Sequence, residues 1–222
     1  MKIAGLCSIP ERENSLYKVL LSVRRQFDVV EVCLNDYPKI PIWMSKWKNV
    51  RVTRASNEMG DANKYINIHK YSKGIYFSID DDLIYPNNYA AYMIKAINNF
   101  KSIVTLHGSN IMGKVNSYYM NRVSKSHCLK ELKKSTPVHI GGTGVMAFDL
   151  EYFNPEYHVF KVANMADIWC AIEAKRQGKK ITAIKHHTGW IRNARPRAGD
   201  TIYDRHYKHD TIQTDAVNSI KW

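Results

Sequence analysis

Gly74-Ile75-Tyr76-Phe77-Ser78-Ile79-Asp80-Asp81-Asp82-Leu83-Ile84-Tyr85-Pro86 is the stretch on which the reading of the chain turns. Gly74 opens it, and aromatic and β-branched residues fill it. Pro86 with Asn87 and Asn88 closes the following turn. It therefore reads as a buried strand that ends on three consecutive carboxylates. Adjacent carboxylates repel one another and are costly at the end of an apolar strand unless a cation sits there. Hard oxygen ligands favour Mg²⁺ or Mn²⁺, which stay partly hydrated and bind substrate phosphates. A solvated acidic turn is the competing reading of the triplet alone, and the apolar lead-in weighs against it.

The residues before this stretch repeat one pattern. Residues 2–9 (KIAGLCSI) read as a buried strand stopped by Pro10. Asn14 or Ser15 is placed to cap a helix whose apolar positions are Leu16, Val19, Leu20, Val23 and Phe27. Residues 29–34 are a second strand ending at Asn35-Asp36, and 49–55 a third. After Glu58-Met59-Gly60-Asp61, a helix is expected over 62–71. Beyond the acidic triplet come a helix at 87–100 and a strand at 103–106 that ends on His107-Gly108. Strands alternating with helices imply an α/β fold, a Rossmann-like, mostly parallel central sheet with helices on both faces. Ligands of such sheets bind outside the carboxyl ends of the strands. Ser8 to Arg12, Asn35-Asp36, Asp61, the acidic triplet and His107 should then converge on one crevice.

The second half is less uniform. Residues 109–137, rich in Asn, Ser, Lys and Tyr, read as a mobile insertion near the site, with an ordinary surface excursion as the alternative. Residues 138–148 return to strand, and the glycines at 141, 142 and 144 permit a bend or a close backbone approach. Residues 166–178 form an amphipathic helix stopped by Gly178, with Asp167 in its first turn, where a carboxylate also suits the helix dipole. Residues 181–184 are a last strand, running into Lys185-His186-His187. From Arg192 the tail carries Arg195, Arg197, Arg205 and Lys208 among Tyr203, Tyr207 and Trp222, either folding back over the site, touching an anionic membrane, or lying in solvent.

The 222 residues show no linker, repeat or low-complexity run, which favours one domain. Hydrophobic residues make up 45% and charged residues 24%, enough for a packed core. The N-terminal residues are expected to run straight into the fold rather than form a leader. Cys7, Cys33, Cys128 and Cys170 are widely spaced and read as free thiols in a reducing compartment. The formal net charge of +13 calls for an anionic partner. Neither zinc-finger spacing nor an RNA-binding aromatic signature accompanies it, so nucleic acid is not the expected one.

Taken as an ordered set, the residues resemble the GT-A glycosyltransferases. They are most similar to the family-2-like enzymes that build surface polysaccharides in bacteria and virion glycans in some large viruses. The likeness runs from Leu6 to about Trp190. It is carried by Ser8-Ile9-Pro10-x-Arg12, Leu34-Asn35-Asp36, Gly60-Asp61-x-x-Lys64, Asp80-Asp81-Asp82-Leu83-Ile84-Tyr85-Pro86, His107-Gly108, Gly142-Thr143-Gly144 and Ala166-Asp167-Ile168-Trp169. The resemblance implies a single GT-A domain over 1–222, with a nucleotide-binding half at about 1–108 and an acceptor half with the basic tail at about 109–222. Ser8, Ile9, Pro10 and Arg12 would line the base and diphosphate pocket. Asp36 and Asp61 would bind the base, with Lys64 beside it. Asp80 and Asp82 form the DxD element: Asp82 would bind Mn²⁺ or Mg²⁺ directly, and Asp80 and Asp81 would hold ribose or the metal's water shell. Asp167 stands in the place of the catalytic base. Either His186 or His187 could add a metal or diphosphate contact. The chain departs from the common pattern in reading Ala-Asp rather than Glu-Asp at the base, and in lacking the Gln-x-x-Arg-Trp element of processive synthases.

The expected activity is metal-dependent transfer of a sugar from a nucleotide sugar, most simply a UDP-sugar with GDP or dTDP as alternatives, to a glycan, lipid-linked glycan or other hydroxyl acceptor. A single base opposite the leaving group implies inversion. The expected location is cytoplasmic, with peripheral contact at the inner face of an anionic membrane. A nucleotidyltransferase, or a non-catalytic module binding a glycan or other anionic ligand, are the competing readings. The first usually has a Gly- and Arg/Lys-rich loop after strand one, where this chain has Cys7-Ser8-Ile9-Pro10-Glu11-Arg12. The second gives no reason for three carboxylates at a buried strand end.

Overall fold

A computed structural model describes residues 1–194 and 209–222. The first strand, β1 (Lys2–Ser8), is apolar nearly throughout and pairs in parallel on both sides, as a strand covered on both faces should. Its neighbours are β2 (Val29–Asn35) and β4 (Ile75–Ile79), and β3 (Val50–Ala55) extends the sheet beyond β2. On the other side of β4 lie β11 (Val145–Asp149), β6 (Ile103–Thr105), β12 (Ile181–Ala183) and β9 (Thr136–Val138). The order is β3-β2-β1-β4-β11-β6-β12-β9, with β11 and β9 antiparallel to the rest. The sheet is thus mostly parallel, and β1, β2 and β4 end at one edge.

Alternation along the strands divides the core in two. Ala4, Phe77 and Ala147 face one side, packed by Leu16, Val19 and Leu20 of α1 (Glu13–Val23) and by Tyr89 and Met93 of α2 (Tyr89–Phe100). Ile3, Tyr76 and Phe148 face the other, against Ile168 and Ile172 of α4 (Ala166–Arg176) and Val217 of a last helix, α5 (Thr211–Asn218). Helices on both faces follow from this two-sided burial.

Four expectations are corrected. The helix expected over 62–71 is instead two 3₁₀ segments, 57–65 and 68–70, with Gly60 at φ 53°. Its asparagines bond elsewhere: Asn63 donates to Asn35 Oδ1 and Ser56 O, and Asn67 to Glu31 and Thr53. Side-chain bonds of this kind compete with a regular helix. α1 begins at Glu13 without a side-chain cap, because a 3₁₀ turn at Pro10–Arg12 leads into it and Ser15 donates back to Arg12 O. The single strand expected over 138–148 is divided among β9, β10 (Ile140–Gly141) and β11 by the bend its glycines permit. Residues 109–137 hold more regular structure than expected, although most of the segment is loop: β7 (Gly108–Asn110), β8 (Val123–Ser126) and β10 form a small antiparallel sheet, and α3 (Tyr118–Asn121) lies between β7 and β8 in the chain.

The C-terminal tail starts where the sequence suggested. β13 (Arg192–Asn193) pairs with β5 (Leu83–Ile84), and Ala194 N–H donates to Asp82 O, so the chain returns onto the acidic turn. Arg195, Arg197, Tyr203, Arg205, Tyr207 and Lys208 lie outside the described residues. All four cysteines are free, and Cys33, Cys128 and Cys170 are buried. No helix among the described residues is long and apolar enough to cross a membrane.

Candidate active site

The site forms where β1 and β4 end side by side. Pairing of Gly5 with Ser78 sets Ser8 next to the acidic triplet. Successive side chains then take different roles. Asp81 is buried: it accepts a 2.6 Å bond from Ser8 Oγ and a 2.9 Å bond from Arg12, so both its oxygens are committed to the strand-one loop. Asp80 and Asp82 face the crevice, with side chains 39% and 27% exposed. Lys64, buried, reaches Asp80 Oδ1 at 2.5 Å, and Arg12 lies 3.6 Å from Asp82. The acidic strand end is therefore flanked by two cations drawn from different segments. That answers part of the repulsion within the triplet and leaves two carboxylates facing outward, a hard-oxygen donor set that fits Mn²⁺ or Mg²⁺.

Backbone and tyrosine bonds hold the triplet in place. Tyr85 OH accepts from Asp80 N–H at 2.8 Å and donates to Gly144 O at 2.5 Å. A Cβ at Gly144 would overlap the Asp80 carboxylate. Gly144 is thus required for the backbone to pass the acidic strand end. Gly144→Ala is expected to cost about 1–3 kcal/mol, the usual range for overpacking, read as a lower thermal midpoint.

The other predicted residues are placed as follows. Ile9 accepts Arg12 N–H through its carbonyl, and Pro10 opens the 3₁₀ turn that aims Arg12 at Asp81. Asp36, exposed at the end of β2 with φ 55°, accepts from Asn57 N–H. Asp61 accepts Ala166 N–H at 3.3–3.4 Å, so it sits on the N-terminus of α4. Asp167, one residue on, accepts from its own helix at Ile168 N–H and from Tyr118 OH at 3.1 Å. The two imidazoles after β12 separate. His186 is buried, its ring nitrogens against Ile184 O and His127 O. His187 is exposed and lines a small cavity with Ile84, Pro86 and Trp190.

No protein-family model matches the chain, and no curated protein matches it significantly. Solved structures do. S. aureus TarS residues 1–349 in complex with UDP-GlcNAc superposes with a TM-score of 0.54 at 12% identity, covering 85% of this chain and 57% of that one. The same protein in complex with UDP gives 0.55 at 10% identity. The fold is GT-A. The chain spans a little over half the length of those TarS structures. A Bacillus anthracis structure named as a glucose-1-phosphate thymidylyltransferase, in complex with sucrose, gives 0.52 at 10% identity over 100% of this chain and 96% of that one.

Charge in the GT-A crevice is set mainly by burial. Burial raises Asp61 to about 7, with Asp167 and Asp80 adding to the shift and Lys64 opposing it. Asp61, Asp80 and Asp167 therefore share one electrostatic neighbourhood. Burial also raises Asp167, against the bonds from Ile168 and Tyr118 that favour its charged form. Burial opposes the charge of Lys64, but Asp80, Cys7 and Asp61 outweigh it and the ammonium is retained. The Asp61 shift has a consequence for stability. Unfolded, Asp61 ionises near its ordinary value of 3.8; folded, near 7. Between these values the folded state holds a proton that the unfolded state has released, so this group's contribution is lost as pH rises through 7. Asp61→Asn, which keeps an acceptor for Ala166, should raise the thermal midpoint at pH 8 and change it little at pH 4, measured by melting across that range.

Tyr118 and Arg122 were not marked by the sequence as site residues. Tyr118 bonds Asp167, and the Arg122 guanidinium lies 4.8 Å from the Tyr118 ring centre. The only signal was a Tyr-Tyr pair within a polar insertion.

Proposed function

We propose that the chain is a metal-dependent, inverting glycosyltransferase that moves a sugar from a UDP-sugar to a hydroxyl of a glycan or lipid-linked glycan. The observation that carries this reading is the convergence, at one sheet edge, of two outward carboxylates, two cations and a buried carboxylate on a helix N-terminus. Asp82 and Asp80 would hold Mn²⁺ or Mg²⁺, which neutralises charge on the leaving diphosphate. Arg12 stands beside Asp82 to meet the same diphosphate. Asp167 takes the proton from the attacking acceptor hydroxyl, and its raised pKa brings it closer to neutral pH, where a general base works best. Tyr118 orients that carboxylate through its hydroxyl. Attack from the side of one base, with the diphosphate leaving opposite, inverts the anomeric centre. That a TarS structure contains UDP-GlcNAc supports a UDP-sugar as the first donor to test.

Tyr118→Phe removes a hydrogen bond that favours the charged form of Asp167. The acid limb of the pH–rate profile should therefore move to higher pH, with the plateau rate less affected. An unmoved limb would remove Tyr118 from the mechanism.

The thymidylyltransferase match favours a second reading, transfer of a nucleotidyl group to a sugar phosphate. A thermal-shift panel of UDP, GDP, dTDP, CMP and their sugar conjugates, with Mn²⁺ and with EDTA, is the first experiment, since a ligand of the folded state raises apparent stability. A metal-dependent shift from a UDP-sugar, followed by UDP release on adding acceptor, is the expected result. Pyrophosphate release from a nucleoside triphosphate and a sugar 1-phosphate would establish the second reading. No shift from any nucleotide would overturn both.

A further inference from the structure

His107 and the adjacent pair His127-Cys128 are separated in sequence and are brought together by one strand register. β7 and β8 pair antiparallel with Gly108 opposite Ser126. The residue before Gly108 and the residue after Ser126 are therefore across from one another, and their imidazoles stand with ring centres 4.8 Å apart. A turn follows at once, Lys130 N–H donating to His127 O, and it carries the Cys128 thiol inward. One donor atom from each of the three residues lies within 4.8 Å of the other two. The group is backed on two sides. A Cβ at Gly142 would press on the His107 ring, and Gly142 N–H donates to His107 O at 2.7 Å. His186 reaches His127 O with Nε2, and its backbone bridges Leu132.

We propose that His107, His127 and Cys128 form a second metal site, chemically distinct from the acidic turn, that takes a borderline-soft transition ion, Zn²⁺ above all. Two imidazoles and a thiolate suit Zn²⁺ and not Mg²⁺, and three protein ligands leave a fourth position open to water or substrate. Zinc bond lengths of about 2.3 Å to sulfur and about 2.0 Å to nitrogen place tetrahedral ligands roughly 3.5 Å apart. Closing from the observed spacing takes about 1 Å of movement. His127, the exposed member, lies on the turn and gives the ion its way in. On binding, the Cys128 thiol releases its proton to water as the sulfur–metal bond forms. Ligation by either His127 nitrogen ends the 3.2 Å bond that Leu129 N–H donates to Nδ1. A metal here would pin the 109–137 segment to the end of β6, beside the crevice and independently of which reaction the crevice performs.

Cobalt(II) titration of the full chain tests this, because a thiolate bound to Co²⁺ gives a near-ultraviolet charge-transfer band that oxygen ligands do not. The expected result is one such band per chain, displaced by Zn²⁺, lost in Cys128→Ser and in His127→Gln, and kept in Asp82→Ala. Far-UV circular dichroism verifies that each variant is folded; the exposed His127 is the substitution that disturbs packing least and carries the test if Cys128→Ser unfolds. No band at saturating Co²⁺, or a band that survives either substitution in a folded chain, overturns the site. A band lost in folded Asp82→Ala as well would mean that the thiolate-bound ion also depends on the acidic turn, so that the three residues do not form a separate site, and would equally overturn it. Neither result bears on the sugar-transfer reading, which the nucleotide panel addresses separately.

Discussion

Asp82→Ala should remove the metal-dependent part of donor binding and lower transfer by on the order of 10³-fold, the equivalent of about 4 kcal/mol of charge stabilisation at the leaving diphosphate. The prediction rests on the division of labour within the triplet. Asp81 is sealed between Ser8 and Arg12, so its loss would act through the fold. Asp80 is tied to Lys64 and locked through its backbone to Tyr85. Asp82 is the outward carboxylate on the turn itself, with Arg12 at 3.6 Å and the returning strand on its carbonyl. Alanine there leaves those backbone contacts in place. The folded variant should melt close to the wild type without ligand, and should lose the extra stabilisation that Mn²⁺ adds to UDP binding. A UDP shift equally dependent on Mn²⁺ in the variant would show that Asp82 is not a ligand of that metal.

The sheet was legible because buried parallel strands leave a plain mark: short apolar runs bounded by Pro, Gly or Asn. Residues 2–9, 29–34 and 75–79 carry it, and β1, β2 and β4 lie where it stands. Residues 62–71 misled because Tyr65 and Ile68 do supply a buried face, while Asn63 and Asn67 spend their amides on β2 and β3 and break the helix into 3₁₀ turns. Side-chain partners of that kind are set by tertiary neighbours, which local periodicity does not contain. The same holds for β7, β8 and β10. Each is short, and each is stable only because the others lie beside it.

Parts of the site follow from the same rule. Residues at the carboxyl ends of β1 and β4 had to meet, and Ser8, Arg12 and the triplet do. What could not be read was which carboxylate turns inward, because a turn after a strand need not continue its alternation. Nor could the sequence say that Asp61 and Asp167 would come to one helix N-terminus, through a contact of Asp61 with Ala166 between positions 105 residues apart. His186 and His187 illustrate the limit most plainly. They are adjacent and chemically identical, yet one is enclosed beside His127 and the other is in solvent.

Asp167→Asn should leave donor binding intact and lower transfer by about 10²–10⁴-fold, the usual worth of a positioned general base. Asparagine matches the carboxylate in shape and retains an acceptor for Ile168 N–H, so the N-terminus of α4 is preserved. UDP-dependent stabilisation in Mn²⁺ should equal that of the wild type, which separates this variant from Asp82→Ala. The pH dependence supplies an independent sign. Burial raises the Asp167 pKa, so the wild-type rate should climb with pH at values above the ordinary carboxylate range as the base loses its proton. Asp61, raised to about 7 in the same neighbourhood, gains from the charge on Asp167 a reason to keep its own proton. Asp167→Asn should flatten the limb as well as lower the rate. Near-normal transfer by Asp167→Asn, or a limb unchanged in that variant, would place the base elsewhere in the crevice.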